Sequence, residues 1–186
     1  MRLFTGIPLN DDVRGRILEE LRPFKEIGTS IRWTRAQDIH LTVKFIGEVN
    51  DGLAARIAAA LAASRPPVAP FQLRIRGFGK FPSGDDLHIF WAGVEDSPPL
   101  LALFNAIESA LAPLGVAAEA RPFQPHLTLG RNKSRYHFAA LLARLAEKSD
   151  LFLGACAVGA YRLMRSQLTP AGPVYSVLQE IPLDQS

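Results

Sequence analysis

The sequence carries one short strand-like pattern twice, as HLTV in its first half and HLTL in its second. In each copy a histidine and a threonine alternate with apolar residues, which predicts a strand with one buried face. His40 and Thr42 share a face of the first strand, about 6 to 7 Å apart along it. His126 and Thr128 share a face of the second in the same way. Each pair can converge on one small anion such as phosphate, so the duplication favours a fold in which two distant strands form one site.

Four segments have the apolar periodicity of amphipathic helices, and each is expected to cover a face of a sheet. The first is predicted after Asn10 or Asp11 as its N-cap, with an apolar face of Val13, Ile17, Leu21 and Phe24. The second helix is predicted over 51–64. The third is predicted from Ser97 to Gly115, with Leu100, Phe104, Ile107 and Leu111 on its apolar face. The fourth is predicted to begin near Ser134, with Phe138, Leu141, Leu142 and Leu145 on its apolar face.

Strand-like runs lie between these segments. They span residues 2–8, 39–46, 71–79, 87–94, 125–130, 151–163 and 174–181. The turn-rich stretches GKFPSGDD and RSQLTPAGP predict two hairpins. Because the strands cluster in pairs instead of alternating strictly with helices, the pattern favours an α+β fold over a doubly wound parallel sheet. The 186 residues are expected to form one domain.

Composition excludes several classes of protein. The single cysteine rules out an internal disulfide and a thiolate-rich metal site. No apolar run approaches the roughly 18 residues of a membrane span, and the opening apolar stretch is too short for a signal peptide, so a soluble cytoplasmic protein is expected. A net charge of +3 is compatible with a phosphate-bearing partner but is also common among proteins that bind no nucleic acid.

Two imidazoles that face one phosphate suggest acid and base catalysis, since imidazole titrates near pH 6.5. A neutral ring takes a proton from the nucleophile, a protonated ring gives one to the leaving oxygen, and the threonine hydroxyls donate to the nonbridging oxygens. The sequence lacks the dense acidic and histidine cluster of a two-metal enzyme, so no metal or cofactor is expected. The residues leave open which histidine is the acid. They also leave open a structural explanation, in which a duplicated fold keeps both histidines for hydrogen bonds to backbone.

Strict alternation makes further predictions beside the motifs. It places Lys44 on the face of His40, where it adds phosphate affinity or lies at the rim, and it places Phe45 on the buried face. Trp33 is likewise expected in the core or at an internal interface rather than as a platform for a base. Gly130 is predicted to end the second strand. His88 and His137 have no matching threonine and are expected at the solvated surface.

At the two motifs the chain resembles the two-histidine phosphoesterases, and within them the bacterial 2′-5′ RNA ligase group, also described as RNA 2′,3′-cyclic phosphodiesterases. The resemblance covers nearly the whole chain. It includes the stretches MRLFTGIPL, IRWTRAQDIHLTVKFIGEV, RPFQPHLTLGR and RSQLTPAGPVYSVL.

This resemblance implies a bilobal α+β fold, with two pseudo-symmetric lobes of antiparallel sheet covered by helices and a central cleft that carries both His-x-Thr-x motifs. It implies hydrolysis of RNA 2′,3′-cyclic phosphate to a 2′-phosphate, with possible reversal as 2′-5′ ligation. Carried over to this chain, His40 is the proton donor and His126 the proton acceptor. Thr42 and Thr128 hold the phosphate.

Three further residues are candidates for substrate binding. Arg131 follows the second motif directly and is suited to a phosphate or the face of a base, or else to a surface salt bridge. Arg165 and Ser166 match the closing hairpin of the family, where the alternative role is to stabilise the turn. The expected partner is RNA or a related nucleotide, bound by a monomer with no membrane association. Two alternatives stay open: a phosphodiesterase of another small cyclic or 2′-5′ nucleotide ester, and a noncatalytic RNA-binding or nucleotide-binding module.

Overall fold

The computed structural model describes residues 1–27, 31–64, 66–83, 87–132, 138–170 and 172–183. Within these ranges the chain forms four α-helices and nine strands. The helices are α1 (Asp11–Lys25), α2 (Asp51–Ser64), α3 (Pro98–Leu111) and α4 (Phe138–Glu147). The strands are β1 (Arg2–Pro8), β2 (Ile31–Trp33), β3 (His40–Glu48), β4 (Phe71–Ser83), β5 (Leu87–Val94), β6 (His126–Asn132), β7 (Phe152–Val158), β8 (Ala160–Thr169) and β9 (Gly172–Pro182).

The strands form one antiparallel sheet, which confirms the predicted α+β class. Its order is β7-β4-β5-β6-β3-β1-β8-β9, with β2 paired to β6. The two predicted hairpins form as β4–β5 and β8–β9. Two four-stranded halves therefore meet where β6 lies beside β3, and these are the two strands that carry the motifs. Leu41 pairs with Leu127 at this junction.

Side-chain caps fix where the helices begin. The side chain of Asn10 accepts a hydrogen bond from the backbone N–H of Val13, 2.9 Å away, at the start of α1. The hydroxyl of Ser97 accepts one from the N–H of Leu100 at the start of α3. The predicted apolar face of α1 is buried in full. In α3 the expectation differs at one position, because Leu103 is buried whereas Phe104 is half-buried and stacks on Phe123 at 4.4 Å.

The helices cover the sheet from the side that buries Leu41 and Leu127. Helices α1 and α4 pack on β7 and β4, while α2 and α3 pack on β9 and β3. The buried apolar residues form one continuous cluster through both halves. This continuity supports the single domain predicted for residues 1–186, which stays a prediction. The motif histidines and threonines project from the opposite side of the sheet.

The observed strands differ from the predicted ones at two places. The run predicted as one strand over 151–163 is two strands, β7 and β8, because the chain bends at Gly159. The three-residue strand β2 was not predicted. The predicted start of the fourth helix near Ser134 and the position of His137 lie outside the described residues, as does the side chain of His88.

A β-bulge interrupts the first motif strand one residue after its threonine. Thr42 pairs with Gly6 of β1, and Lys44 pairs with Thr5, so Val43 is an additional residue between them. An extra residue shifts the alternation of side chains by one position. The backbone N–H of Lys44 donates to the hydroxyl of the buried Thr5 at 3.1 Å, which holds the bulged strand in place.

The bulge overturns the predictions for Lys44 and Phe45. Lys44 points to the helix side and is buried, where its Nζ lies 2.6 Å from Oε1 of Glu108 and donates to the carbonyl of Ala117. Phe45 points away from the helices and is 45% exposed. Counting by parity from His40 therefore gives the wrong face for both residues.

The second motif strand has the same irregularity at the equivalent position. Thr128 pairs with Trp91 of β5 and Gly130 pairs with Phe90, so Leu129 is the additional residue. Strand β6 consequently continues to Asn132, and the prediction that Gly130 ends it is wrong. The bulge turns Arg131 outward without ending the strand.

Candidate active site

The four motif residues lie in one cavity of about 700 Å³. His40, Thr42, His126 and Thr128 all line it. The Leu41–Leu127 pair fixes the register between their strands. Continued by one residue in each direction, this register sets His40 across from Thr128 and Thr42 across from His126. The two histidines are then diagonal neighbours, for which a regular antiparallel sheet gives a separation of about 7 to 8 Å.

Both histidines use the same backbone contact. Nδ1 of His40 lies 2.7 Å from the carbonyl oxygen of Asp38, and Nδ1 of His126 lies 2.8 Å from that of Gln124. A carbonyl oxygen can only accept, so Nδ1 carries a hydrogen in each ring. Nε2 is then the nitrogen that gains or loses a proton when each ring titrates. The backbone bond that a structural explanation predicts is present, and it fixes the orientation of each ring in the cavity.

Aromatic rings and a hydroxyl hold His40 in place. Its imidazole stacks on Phe4 with the centroids 4.9 Å apart, and it meets Tyr175 edge to face at 5.1 Å. Nε2 lies 3.1 Å from the hydroxyl oxygen of Thr42. The predicted phosphate-binding threonine is thus also in direct contact with the predicted acid. His126 meets the ring of Phe81 edge to face at 4.9 Å.

The electrostatic surroundings of the two histidines differ. Burial lowers the pKa of both imidazoles below the ordinary value. Near His40, the backbone carbonyl and the carboxylate of Asp38 partly oppose this effect and favour the charged ring. Near His126, the carbonyl of Gln124 opposes it, but the guanidinium of Arg131 lowers the pKa further. The neighbouring charges therefore favour a proton on His40 over one on His126.

The cavity concentrates positive charge. Among its described lining residues are five arginines, Arg2, Arg32, Arg35, Arg121 and Arg131, and one carboxylate, that of Asp38. Asp38 is held by Arg35 in a short ion pair. This local excess is larger than the net charge of +3 on the whole chain, so the remainder of the protein is slightly acidic. The excess positive charge of the sequence is therefore concentrated at this cavity.

The secondary candidates divide between the cavity and its surroundings. Arg131 and Ser166 line the cavity, whereas Arg165 does not. Leu3 and Arg165 are cross-strand partners, and so are Arg2 and Ser166. Paired residues share a face of the sheet, so Arg165 lies on the face of the buried Leu3, opposite to the face that carries Ser166.

Sequence reasoning missed much of the cavity wall. Phe45 lines it and is 45% exposed, contrary to the prediction that it lies in the core or at an interface between lobes. Trp33 also lines it, but it is half-buried and packs against the core, which agrees with its prediction. Arg32, Arg35 and Arg121 flank the motifs, and their proximity to the histidines in the chain was the available signal. Arg2 and Tyr175 come from the two ends of the chain, and their only signal was that they lie in the stretches MRLFTGIPL and RSQLTPAGPVYSVL of the family resemblance. Within the described ranges, no group of three or more His, Cys, Asp or Glu side chains is placed to hold a metal ion.

Two histidines on adjacent antiparallel strands, facing an arginine-lined cavity, form the arrangement that the resemblance to two-histidine phosphoesterases implied. Residues 11–169 match the 2′-5′ RNA ligase superfamily. The chain belongs to that superfamily.

Individual relatives match along almost their whole length. A Thermotoga maritima protein named RNA 2′,3′-cyclic phosphodiesterase is 31% identical over 180 residues, which cover 97% of this chain and 94% of the relative. An Aeropyrum pernix protein of the same name is 33% identical over 168 residues, or 90% and 94% of the two chains. The structure of E. coli LigT with 3′-AMP superposes with a TM-score of 0.80 and 25% identity, covering 99% of this chain and 98% of that one.

No helix in the described ranges is both long and apolar enough to span a membrane.

Proposed function

We propose that this protein hydrolyses RNA 2′,3′-cyclic phosphodiester ends to 2′-phosphomonoesters, with the two motif histidines as acid and base. The observation that carries the proposal is the shared geometry of His40 and His126, which line one cavity with Nδ1 bonded to a backbone carbonyl. The Thermotoga maritima and Aeropyrum pernix relatives, both named RNA 2′,3′-cyclic phosphodiesterase, support the choice of substrate.

In the proposed reaction a water molecule attacks phosphorus, and the bond between phosphorus and O3′ breaks. Nε2 of His126 takes a proton from the water, and Nε2–H of His40 gives its proton to O3′. The product has a free 3′ hydroxyl and a 2′-phosphate. One exchange of protons with solvent then returns both rings to their starting states.

Neighbouring charges support this assignment of roles. The carboxylate of Asp38 favours the protonated form of His40, which is the form an acid needs. Arg131 favours the neutral form of His126, which is the form a base needs. The hydroxyls of Thr42 and Thr128 and the nearby guanidinium groups are suited to bind the nonbridging oxygens.

The test is turnover of an oligoribonucleotide that ends in a 2′,3′-cyclic phosphate, in excess chelator. Wild type, His40→Ala and His126→Ala are compared, with thermal unfolding to verify that each variant is folded. Wild type is expected to give the 2′-phosphate, identified against synthetic 2′- and 3′-phosphate standards. Each variant is expected to lose at least about 100-fold in kcat.

Two results would count against the proposal. Turnover undiminished in either variant would remove the paired-histidine mechanism. Exclusive cleavage of other esters, such as 2′-5′ linked oligonucleotides, would favour the alternative substrate class. The cytoplasmic location and the monomeric state expected from the sequence stay predictions. Light scattering of the purified protein would test the monomeric state.

A further inference from the structure

Phe45 is a large apolar ring exposed inside the cavity that holds the motif residues. Its side chain is 45% exposed and lines the same space as the histidines. The guanidinium of Arg2 lies over the ring, 4.7 Å from its centroid. A cation over an aromatic face makes a flat, amphipathic surface of the kind on which nucleic acid bases stack.

This surface is connected to His40 through Phe4. Phe4 stacks on the imidazole of His40, and it is the cross-strand partner of Phe45. The Cβ atoms of cross-strand partners in an antiparallel pair lie about 4.5 to 5.5 Å apart. The side chains of His40, Phe4 and Phe45 therefore follow one another along one wall of the cavity, with His40 at one end and the exposed Phe45 at the other.

We infer that the cavity binds a second nucleotide, on the 5′ side of the one that carries the cyclic phosphate. The base of this nucleotide stacks on the Phe45–Arg2 surface. The inference rests on the proposed function and narrows its substrate class to single-stranded RNA ends of at least two nucleotides. Stacking tolerates any base, so little sequence preference is expected.

The chain offers a matched control for Phe45. Phe152 on β7 is 40% exposed, and the guanidinium of Arg74 lies 4.7 Å from its ring centroid. It does not line the cavity. Phe152→Ala therefore removes an exposed ring beneath an arginine without altering the site.

The experiment measures kcat/KM for a 2′,3′-cyclic mononucleotide and for a dinucleotide that ends in the same cyclic phosphate. The readout is the ratio of the two values, which normalises each variant by its own mononucleotide turnover. Wild type and Phe152→Ala are expected to favour the dinucleotide to the same degree. Phe45→Ala is expected to lower the ratio about tenfold, and Phe45→Trp to retain it.

An equal ratio in wild type and Phe45→Ala, or a wild-type ratio near one, overturns the second subsite while leaving cyclic phosphate hydrolysis in place. A binding measurement covers the opposite case, in which the protein has the second subsite but does not hydrolyse cyclic phosphates. Affinities for a mononucleotide and a dinucleotide that each end in a 2′-phosphate give the same ratio without turnover. If no cyclic phosphate is hydrolysed, the proposed function fails and the binding ratio still decides the subsite.

Discussion

Phe45 and Arg131 occupy the same position in the two motifs, the fifth residue after the histidine, and both line the cavity. Each is turned there by a bulge one residue after the motif threonine. The two halves of the sheet thus share a backbone device but present different side chains, an aromatic ring in one and a guanidinium in the other. This difference allows similar strands to bind different parts of one substrate and to give their histidines different proton affinities.

The pH dependence of kcat/KM follows from the two histidines. Burial lowers the pKa of both, so the form with one protonated and one neutral ring is most populated below pH 6.5, the approximate ordinary value. We expect a bell-shaped profile with its maximum below about pH 6.5, because rising pH removes the proton from the acid. Steady-state rates between about pH 4.5 and 9 measure this. A flat or rising profile above the maximum would contradict paired imidazole catalysis, provided that chemistry limits the rate.

Substitution of the charged neighbours tests which histidine is the base. Arg131 lowers the pKa of His126, so Arg131→Gln is expected to raise that pKa and move the acid limb of the profile to higher pH. Asp38 raises the pKa of His40, so Asp38→Asn is expected to move the alkaline limb to lower pH. If Arg131→Gln moves the alkaline limb instead, the roles of His40 and His126 are exchanged.

The motif threonines are expected to contribute through their hydroxyls. Thr42→Val and Thr128→Val keep the shape of the side chain and remove one donor to the phosphate oxygens, which we expect to lower kcat by roughly 100-fold to 1,000-fold. Thr42→Ser and Thr128→Ser retain the hydroxyl and serve as controls with most of the activity. Single-turnover rates report the chemical step. Full activity in either valine variant would exclude that threonine from phosphate binding.

Salt dependence tests whether Arg131 contacts a phosphate of the RNA. A phosphate contact to single-stranded nucleic acid contributes about 0.7 to the slope of log affinity against log salt. Arg131→Gln is therefore expected to reduce this slope by about 0.7 for an oligonucleotide. Arg56→Gln alters an exposed arginine of α2 away from the cavity and should leave the slope as in wild type. Equal slopes in both variants would mean that Arg131 holds no phosphate.

The buried Lys44–Glu108 ion pair makes a prediction about stability. Lys44→Met leaves the carboxylate of Glu108 mostly buried beside the carbonyl of Ala117, both without the lysine. We expect a loss of roughly 1 to 3 kcal/mol in the free energy of unfolding by urea. The double variant Lys44→Met with Glu108→Leu should recover part of this, since replacing both charges removes the uncompensated one. The single variant Glu108→Leu completes the comparison. If the losses of the two single variants simply add in the double variant, Lys44 and Glu108 are not coupled.

Local pattern predicted most of the secondary structure. The caps at Asn10 and Ser97, the apolar face of α1 and both hairpins follow from rules that act over a few residues, and the structure confirms them. The convergence of the two motifs follows from the chemistry they share. These features depend on short stretches of sequence, which is why a single chain is enough to predict them.

The errors arose where partners far apart in the chain decide the conformation. The faces of Lys44 and Phe45 depend on an extra residue relative to β1, which no pattern within β3 reveals. Arg2 and Tyr175 join the site only because β1 and β9 flank β8 in the sheet. Parity is thus reliable up to the first bulge and misleading after it.

The packing of α1 also has a consequence during protein synthesis. Its apolar face contacts β7, and Phe24 meets Phe78 of β4, although α1 itself follows β1 in the other half of the sheet. A ribosome delivers α1 long before residues 152–158, at roughly 5 to 20 residues per second. Phe24 can gain its partner once β4 has emerged, whereas the part of the apolar face that packs on β7 stays uncovered until residues 152–158 follow. Exposed apolar surface of this kind on an incomplete chain is what chaperones bind.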